Sequence, residues 1–275
     1  MEQQKRIAVI NDLAGYGKCA LSSAMPVISA MGVECCPLPT AILSTNAAFP
    51  GYFVDDYTEQ MERFIEHWEQ VGVEFDGVCC GFLASAKQIE LVIRFLEQFK
   101  RPETVVLLDP VMGDHGRLYS ASSPEVCEGM RRLLPYVDIV TPNLTEAYRL
   151  AGREYPEGSV SDEYLAELGC ELCAQGPECI IFTGISRENQ LMNYIYKKEA
   201  DPVKVCVERV GGDRCGTGDV FAAIVSAGVV RGLSVEEAVG KAAEFLKKAI
   251  AYTNECGTPP RNGVCFERFL HELYF

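Results

Sequence analysis

The chain lacks an excess of positive charge. Its 39 acidic residues outnumber 25 basic ones, giving a net charge of −14 over 275 residues and a pI of about 4.8. Nonspecific attraction to a DNA or RNA backbone is therefore not expected. No uncharged apolar run approaches the roughly 18 residues of a membrane helix. The opening MEQQKRIAVIND passes straight into a strand pattern without the apolar core of a secretion signal. Those two absences predict a cytoplasmic protein with no membrane partner. No G-x-x-x-x-G-K-[ST] occurs, which excludes a Walker-type phosphate loop. The three histidines, His67, His115 and His271, do not fall at the spacings of metal hydrolases. Cysteine, by contrast, is abundant at 13 residues. Most lie inside apolar strands and helices, as Cys35, Cys36, Cys79, Cys80 and Cys206 do, where a free thiol packs as a small hydrophobe. Cys170 and Cys173 form a C-x-x-C on a helical stretch without a second pair at zinc spacing.

At 48% hydrophobic and 23% charged residues, the composition is that of an ordinary globular protein. Apolar β-rich runs alternate with amphipathic helical ones. Strands are predicted at 6–11, 33–38, 75–82, 104–109 and 137–142, with helices through about residue 31, at 55–72 and at 86–100. Residues 179–184, 191–198 and 203–210 read as consecutive strands, the last two antiparallel, and helices follow at 217–231 and 235–253. This alternation predicts a mostly parallel sheet covered on both faces. With no repeat, low-complexity tract or linker visible, residues 1–275 are expected to form one domain.

In such a sheet the working residues gather at the carboxyl ends of the strands. NDLAGYG, DPVMGDHG, TPNLTEA and TGIS all fall there. GYGKCA imitates a dinucleotide fingerprint, but VECCPLPT lacks the acidic partner. Asp109, Asp114, Thr141, Asn143 and Glu146 offer the oxygen donors that Mg²⁺ shares with phosphates. The simpler reading makes Asp114 a turn cap and Glu146 a helix cap. GGDRCGTGDVFAA places glycines before a helix, where free N–H groups and the helix dipole suit a phosphate. Asp219 would be misplaced as a phosphate ligand there. It reads either as a proton acceptor or as a plain helix cap. Together these segments point to phosphoryl transfer, which relies on positioning and charge neutralisation.

In their order along the chain, DPVMGD, TPNLTEA, TG and GTGDVFAA resemble the ribokinase superfamily, and specifically its pyridoxal/pyridoxamine kinase branch. INDLAGYGKCALSSAMPVISAMG and CPLPTAILS are similar to that branch too, so the resemblance spans nearly the whole chain. It implies a three-layer α/β ribokinase-like fold and transfer of the ATP γ-phosphoryl group to the hydroxymethyl group of a vitamin B6 compound. It further implies Mg²⁺, a monovalent cation such as K⁺, and a homodimer. By the same resemblance Asp219 is the base, and Gly216, Thr217 and Gly218 form the anion hole. Asp114 and Glu146 lie on the metal side, and Asp114, Thr141 and Asn143 near the ATP phosphates. Thr183, Gly184, Val210, Gly211 and Gly212 line the nucleotide, while Asp12, Thr40, Ser44, Phe82 and Tyr119 surround the pyridine ring.

The chain departs from the pattern at STNAAFPGY. Asn46 and Ala47 stand where a histidine and a hydroxyl are expected, and Phe82 where tyrosine is frequent. Lost polar contacts in a ring pocket shift substrate preference, so the vitamin remains open. A hydroxymethylpyrimidine kinase of thiamine synthesis is the near alternative, and a non-catalytic nucleotide or vitamin sensor the distant one. Cys215 would be reactive if the following helix lowered its pKa; otherwise it is a small lid residue.

Overall fold

Strands that must be buried on both faces carry apolar side chains at every position, and the central strands here do so. Ala8, Ile10, Val106, Leu108, Val140, Ile180 and Phe182 enter one core. Their neighbours Ile7, Val9, Leu107, Ile139, Cys179 and Ile181 enter the other. The computed structural model describes residues 3–120, 122–156 and 158–275.

The chain runs β1 (Arg6–Ala14), α1 (Ala20–Ala30), β2 (Glu34–Leu43), β3 (Val54–Asp56), α2 (Thr58–Val71), β4 (Gly77–Cys80), α3 (Ala86–Phe99) and β5 (Val105–Leu108). A small hairpin follows, β6 (Gly113–Asp114) with β7 (Arg117–Leu118), then α4 (Pro124–Arg131), β8 (Ile139–Val140), α5 (Leu144–Leu150) and α6 (Asp162–Cys173). The last part comprises β9 (Cys179–Arg187), β10 (Gln190–Lys197), β11 (Val203–Glu208), α7 (Thr217–Val230) and α8 (Val235–Glu255).

A nine-stranded sheet has the order β11-β10-β9-β8-β5-β4-β1-β2-β3. Strands β9, β8, β5, β4, β1 and β2 are parallel, while β3, β10 and β11 add antiparallel edges. Helices α2 to α6 contribute to the first core, and α1, α7 and α8 to the second. The expected three-layer arrangement is therefore present, including the antiparallel pair β10–β11.

The elements not expected include β3, the small hairpin and α4. The start of the predicted acidic helix is instead the edge strand β3, paired to β2 through Ala41 and Asp56. Residues 113–118 form a hairpin, with Gly113 opposite Leu118. The edge strand and the hairpin are too short to show a periodicity.

Helix α7 explains the glycine-rich stretch. Gly216 caps it in the left-handed conformation at φ 77°, without a side-chain cap. A left-handed residue is cheap only as glycine, and the missing cap leaves first-turn N–H groups for a ligand. The helix is apolar nearly all round, with buried residues from Val220 to Gly228. It is a core helix whose first turn reaches the sheet's carboxyl edge.

Candidate active site

Residues from four strand ends meet at that edge. β1 supplies Asn11 and Asp12, both buried. Asn11 Nδ2 donates to Asp219 Oδ1 at 3.1 Å. Its Oδ1 accepts from Asp12 N and Phe82 N, each at 3.0 Å. One amide thus links β1, the end of β4 and the first turn of α7. Asp219 also receives the N–H of Ala20. Ala20 is held at φ 49°, an uncommon conformation for a residue with a Cβ and one that collects at functional sites.

Burial raises the Asp219 carboxyl above the usual range, opposed by the N–H of Ala20 and the Asn11 amide. Asp12 rises to about 7, first from burial and then from the Asp219 charge. Asp109, after β5, is raised by the same two causes in the same order, although Thr141 Oγ1 donates to it at 3.0 Å. A carboxylate poised upward by its surroundings beside a set of free N–H groups is suited to accepting a proton during group transfer.

The residues expected on the metal side are already engaged in hydrogen bonds. Glu146 accepts from Met112 N at 3.1 Å and from Asn143 N at 2.9 Å. Asn143 returns a bond to Glu146 N and donates to Gly113 O at 2.8 Å. Glu146 is therefore the capping box of α5 and also anchors the strand end before the hairpin, as its simpler reading holds. Each of its oxygens keeps a lone pair. Burial, then Asp109, raises its carboxyl well above the ordinary value. Asp114 Oδ1 accepts from His115 N at 2.8 Å. Among the described residues, neither Asp109 nor Glu146 has a basic partner within ion-pair distance, and no three metal-ligating side chains form a ready cluster. An all-oxygen set with surplus buried negative charge fits Mg²⁺, a cation that keeps waters and borrows ligands from phosphates.

Of the residues expected to line the nucleotide, Thr183 N donates to Pro142 O at 2.9 Å, which ties β9 to the 141–143 segment. Gly184 has φ 70° and open space around it; Gly211 has φ 73° and lies against Asn254 of α8. Val210 and Gly212 complete that loop. His115 Nε2 meets Asp213 Oδ2 at 3.0 Å, joining the hairpin to the glycine loop.

Of the residues expected around the ring, Thr40 is buried and donates to Phe82 O at 2.9 Å. Ser44 Oγ accepts from Phe53 N, while Tyr119 follows the hairpin and is 45% exposed. Asp12, Thr40 and Phe82 are linked through these bonds. Among the described residues, no hydrogen bond joins Ser44 or Tyr119 to them.

One sequence reading needs correction, and one open alternative is decided. Asn46 does not present its amide as a ring reader. It is 5% exposed, its Nδ2 donates to Gly17 O at 2.7 Å and Arg261 O at 2.8 Å, and its Oδ1 accepts from Ala48 N. Backbone clamping occupies the group. Nor is Cys215 activated, because burial and the Asp219 charge raise its thiol pKa. The residue that sequence reasoning missed is Asn11. Its signal was a lone amide at the end of an apolar strand, inside a motif already singled out.

Comparison with known proteins agrees with this fold. The family model described as phosphomethylpyrimidine kinase matches residues 22–262. The pyridoxine/pyridoxal/pyridoxamine kinase of Bordetella avium is 28% identical over 252 residues, covering 86% of this chain and 82% of the relative. The crystal structure of pyridoxal kinase from Lactobacillus plantarum superposes with a TM-score of 0.91 at 28% identity, over 98% of this chain and 97% of the other. A Bacteroides thetaiotaomicron protein, provisionally assigned as a phosphomethylpyrimidine kinase and crystallised with pyridoxal, gives 0.94 at 34% identity, over 98% and 96%.

Proposed function

The chain belongs to the phosphomethylpyrimidine kinase family, and from that premise we propose that it phosphorylates the hydroxymethyl group of a vitamin B6 compound at the expense of ATP. The enzyme is a pyridoxal kinase-type phosphotransferase of the ribokinase-like fold. The observation that carries the finer reading is Asp219, poised on the uncapped first turn of α7 between the Asn11 amide and the glycine N–H groups.

In this reading Asp219 takes the hydroxyl proton as the substrate oxygen attacks the γ-phosphorus, and ADP leaves. The N–H groups of Gly216, Thr217 and Gly218 meet the negative charge that grows on the transferring phosphoryl oxygens. Thr141, Asn143, Thr183, Gly184, Val210, Gly211 and Gly212 position the nucleotide. Asp12, Thr40 and Phe82 hold the ring, with Ser44 and Tyr119 flanking it. Asp114 and Glu146 would hold Mg²⁺, which would neutralise phosphate charge; K⁺ is the monovalent ion to test. Support for a homodimer comes from the family resemblance, and light scattering checks it. A cytoplasmic setting is supported by the 13 free cysteines, since thiols persist in reducing compartments.

The test is ADP release with pyridoxal, pyridoxamine, pyridoxine and hydroxymethylpyrimidine in parallel. The name of the family model favours including the pyrimidine. Fast turnover of a B6 compound supports the proposal. Preference for the pyrimidine would move the chain to thiamine synthesis. Tight binding without turnover of any alcohol would make it a sensor, against the evidence of Asp219.

A further inference from the structure

We propose that Asn11 is the positioning residue of this site, aligning the Asp219 carboxylate with the ring wall through its side-chain amide. The inference rests on the reading of Asp219 as the base. Asn11 itself touches no reacting atom in this assignment.

The chemistry of the bond pattern calls for an amide. Two backbone N–H groups, those of Asp12 and Phe82, converge on one oxygen, and a carboxylate oxygen lies 3.1 Å from the other end of the side chain. Two donors on one side and an acceptor on the other fix which end of the amide is nitrogen. A carboxylate in place of Asn11 would repel Asp219, and a hydroxyl is too short to span both sides.

The surrounding backbone is adapted to this side chain. A Cβ on Gly81 would overlap the Asn11 amide, so the end of β4 leaves room that only glycine provides. The β1–β2 register shifts between Asn11 and Leu13, a bulge of the kind that re-aims side chains beside active sites. The ring wall and the base are thereby joined by one rigid group, and an error of about 1 Å in such a constellation is costly.

Other titratable groups near Asp219 do not supply the same support. Asp12 at the end of β1 and Asp109 after β5 both feel its charge, as do Cys19 before α1, Cys215 before α7 and Tyr119 after the hairpin. All are acids or thiols and none attracts the carboxylate. What favours its charged form is the set of N–H donors, with Asn11 the only side chain among them.

The experiment is the pH profile of kcat for Asn11→Asp and Asn11→Ser, with far-UV circular dichroism and ADP binding as checks on the fold. Asn11→Asp keeps an oxygen for the two backbone N–H groups, removes the donor to Asp219 and adds a charge that repels it, whereas Asn11→Ser removes the donor without adding charge. Expected are a fall in kcat of about tenfold or more, the weight of a hydrogen bond to a charged group, and an acid limb displaced upward by about one pH unit. The KM for ATP should stay put. If both variants fold and bind ADP with an unmoved acid limb and kcat within about twofold of the parent, the positioning role is overturned. If neither folds, Asn11 is a structural strut and the proposal is equally overturned. Asp219→Asn, measured alongside, separates the two readings. Retained turnover there removes the base itself, whereas loss there with an unmoved Asn11→Asp profile removes only the positioning.

Discussion

A Cβ on Gly216 would overlap the carbonyl oxygen of Lys18, two residues before α1. Gly216 also sits at φ 77°, where a side chain costs about 1–2 kcal/mol. Gly218 has neither constraint, since the nearest atom to a Cβ there is Asp109 Oδ2 at 3.6 Å. The two glycines therefore separate fold from chemistry. Gly216→Ala should lower Tm by several degrees and abolish activity. Gly218→Ala should fold normally, with a helix-interior gain of about 0.5–1 kcal/mol, yet lose turnover because a methyl group stands among the phosphate-facing N–H groups. Thermal melts beside kcat decide it. Full activity in Gly218→Ala would remove the anion hole from α7.

Asp219→Asn preserves shape and removes the proton acceptor. We expect kcat to fall about 10²–10⁴-fold, the usual weight of a general base, with ADP affinity little changed. Because the Asp219 charge helps to raise both Asp12 and Asp109, neutralising it should also relieve repulsion and raise Tm near neutral pH. Single-turnover kinetics and a melt on the same sample test both halves. A variant with near-parent kcat would make Asp219 a helix cap.

Much of this architecture was legible in the sequence because burial imposes a pattern. Near-continuous apolar strands such as Ile7–Ile10 and Cys179–Phe182 signal a sheet covered on both faces, and α7 declares itself by its run from Val220 to Val230. The edge strand Val54–Asp56 and the 113–118 hairpin were hidden, since strands of two or three residues carry no periodic signal. The site was legible where one residue type has few structural alternatives, as with Gly216. It was not legible where a side chain's partner is fixed only by tertiary contact. Asn46 and Asn11 are both asparagines in turn-like polar segments, yet one clamps backbone and the other reaches a carboxylate 208 positions away.

Asp12 offers a pH test with a definite sign. Its pKa rises from 3.8 to about 7 in the folded chain. Between those values the folded state holds a proton that the unfolded state has lost, so the slope of stability with pH is negative there. The contribution of Asp12 is fully present below its unfolded pKa and is lost as pH rises through the folded one. Asp12→Asn, neutral throughout, should therefore match the parent near about pH 4 and exceed its Tm at about pH 8. The KM for the vitamin should rise, since Asp12 lies on the ring side. A Tm difference that is flat with pH would show that Asp12 does not carry the buried proton.

Asn46 holds three pieces of chain together: the turn at Gly17, its own loop through Ala48, and the segment at Arg261. Its position is tight on all sides, for a Cβ on Gly17 would overlap its amide. The Arg261 segment is in turn bonded to the glycine loop, with Cys215 N donating to Pro260 O at 3.2 Å. The staple thus connects the loop beside Ser44 to the start of α7. Asn46→Ala would leave the carbonyls of Gly17 and Arg261 and the N–H of Ala48 without this partner, and an unsatisfied buried group costs about 1–3 kcal/mol. We expect a lower Tm and faster amide exchange across 44–52. Vitamin KM should rise more than kcat falls, because the base and its amide lie on other segments. Asn46→His should behave similarly, since an imidazole lacks the two amide hydrogens that reach both carbonyls. A histidine variant with native stability and a raised kcat/KM for pyridoxal over hydroxymethylpyrimidine would return residue 46 to the ring pocket and refute the staple.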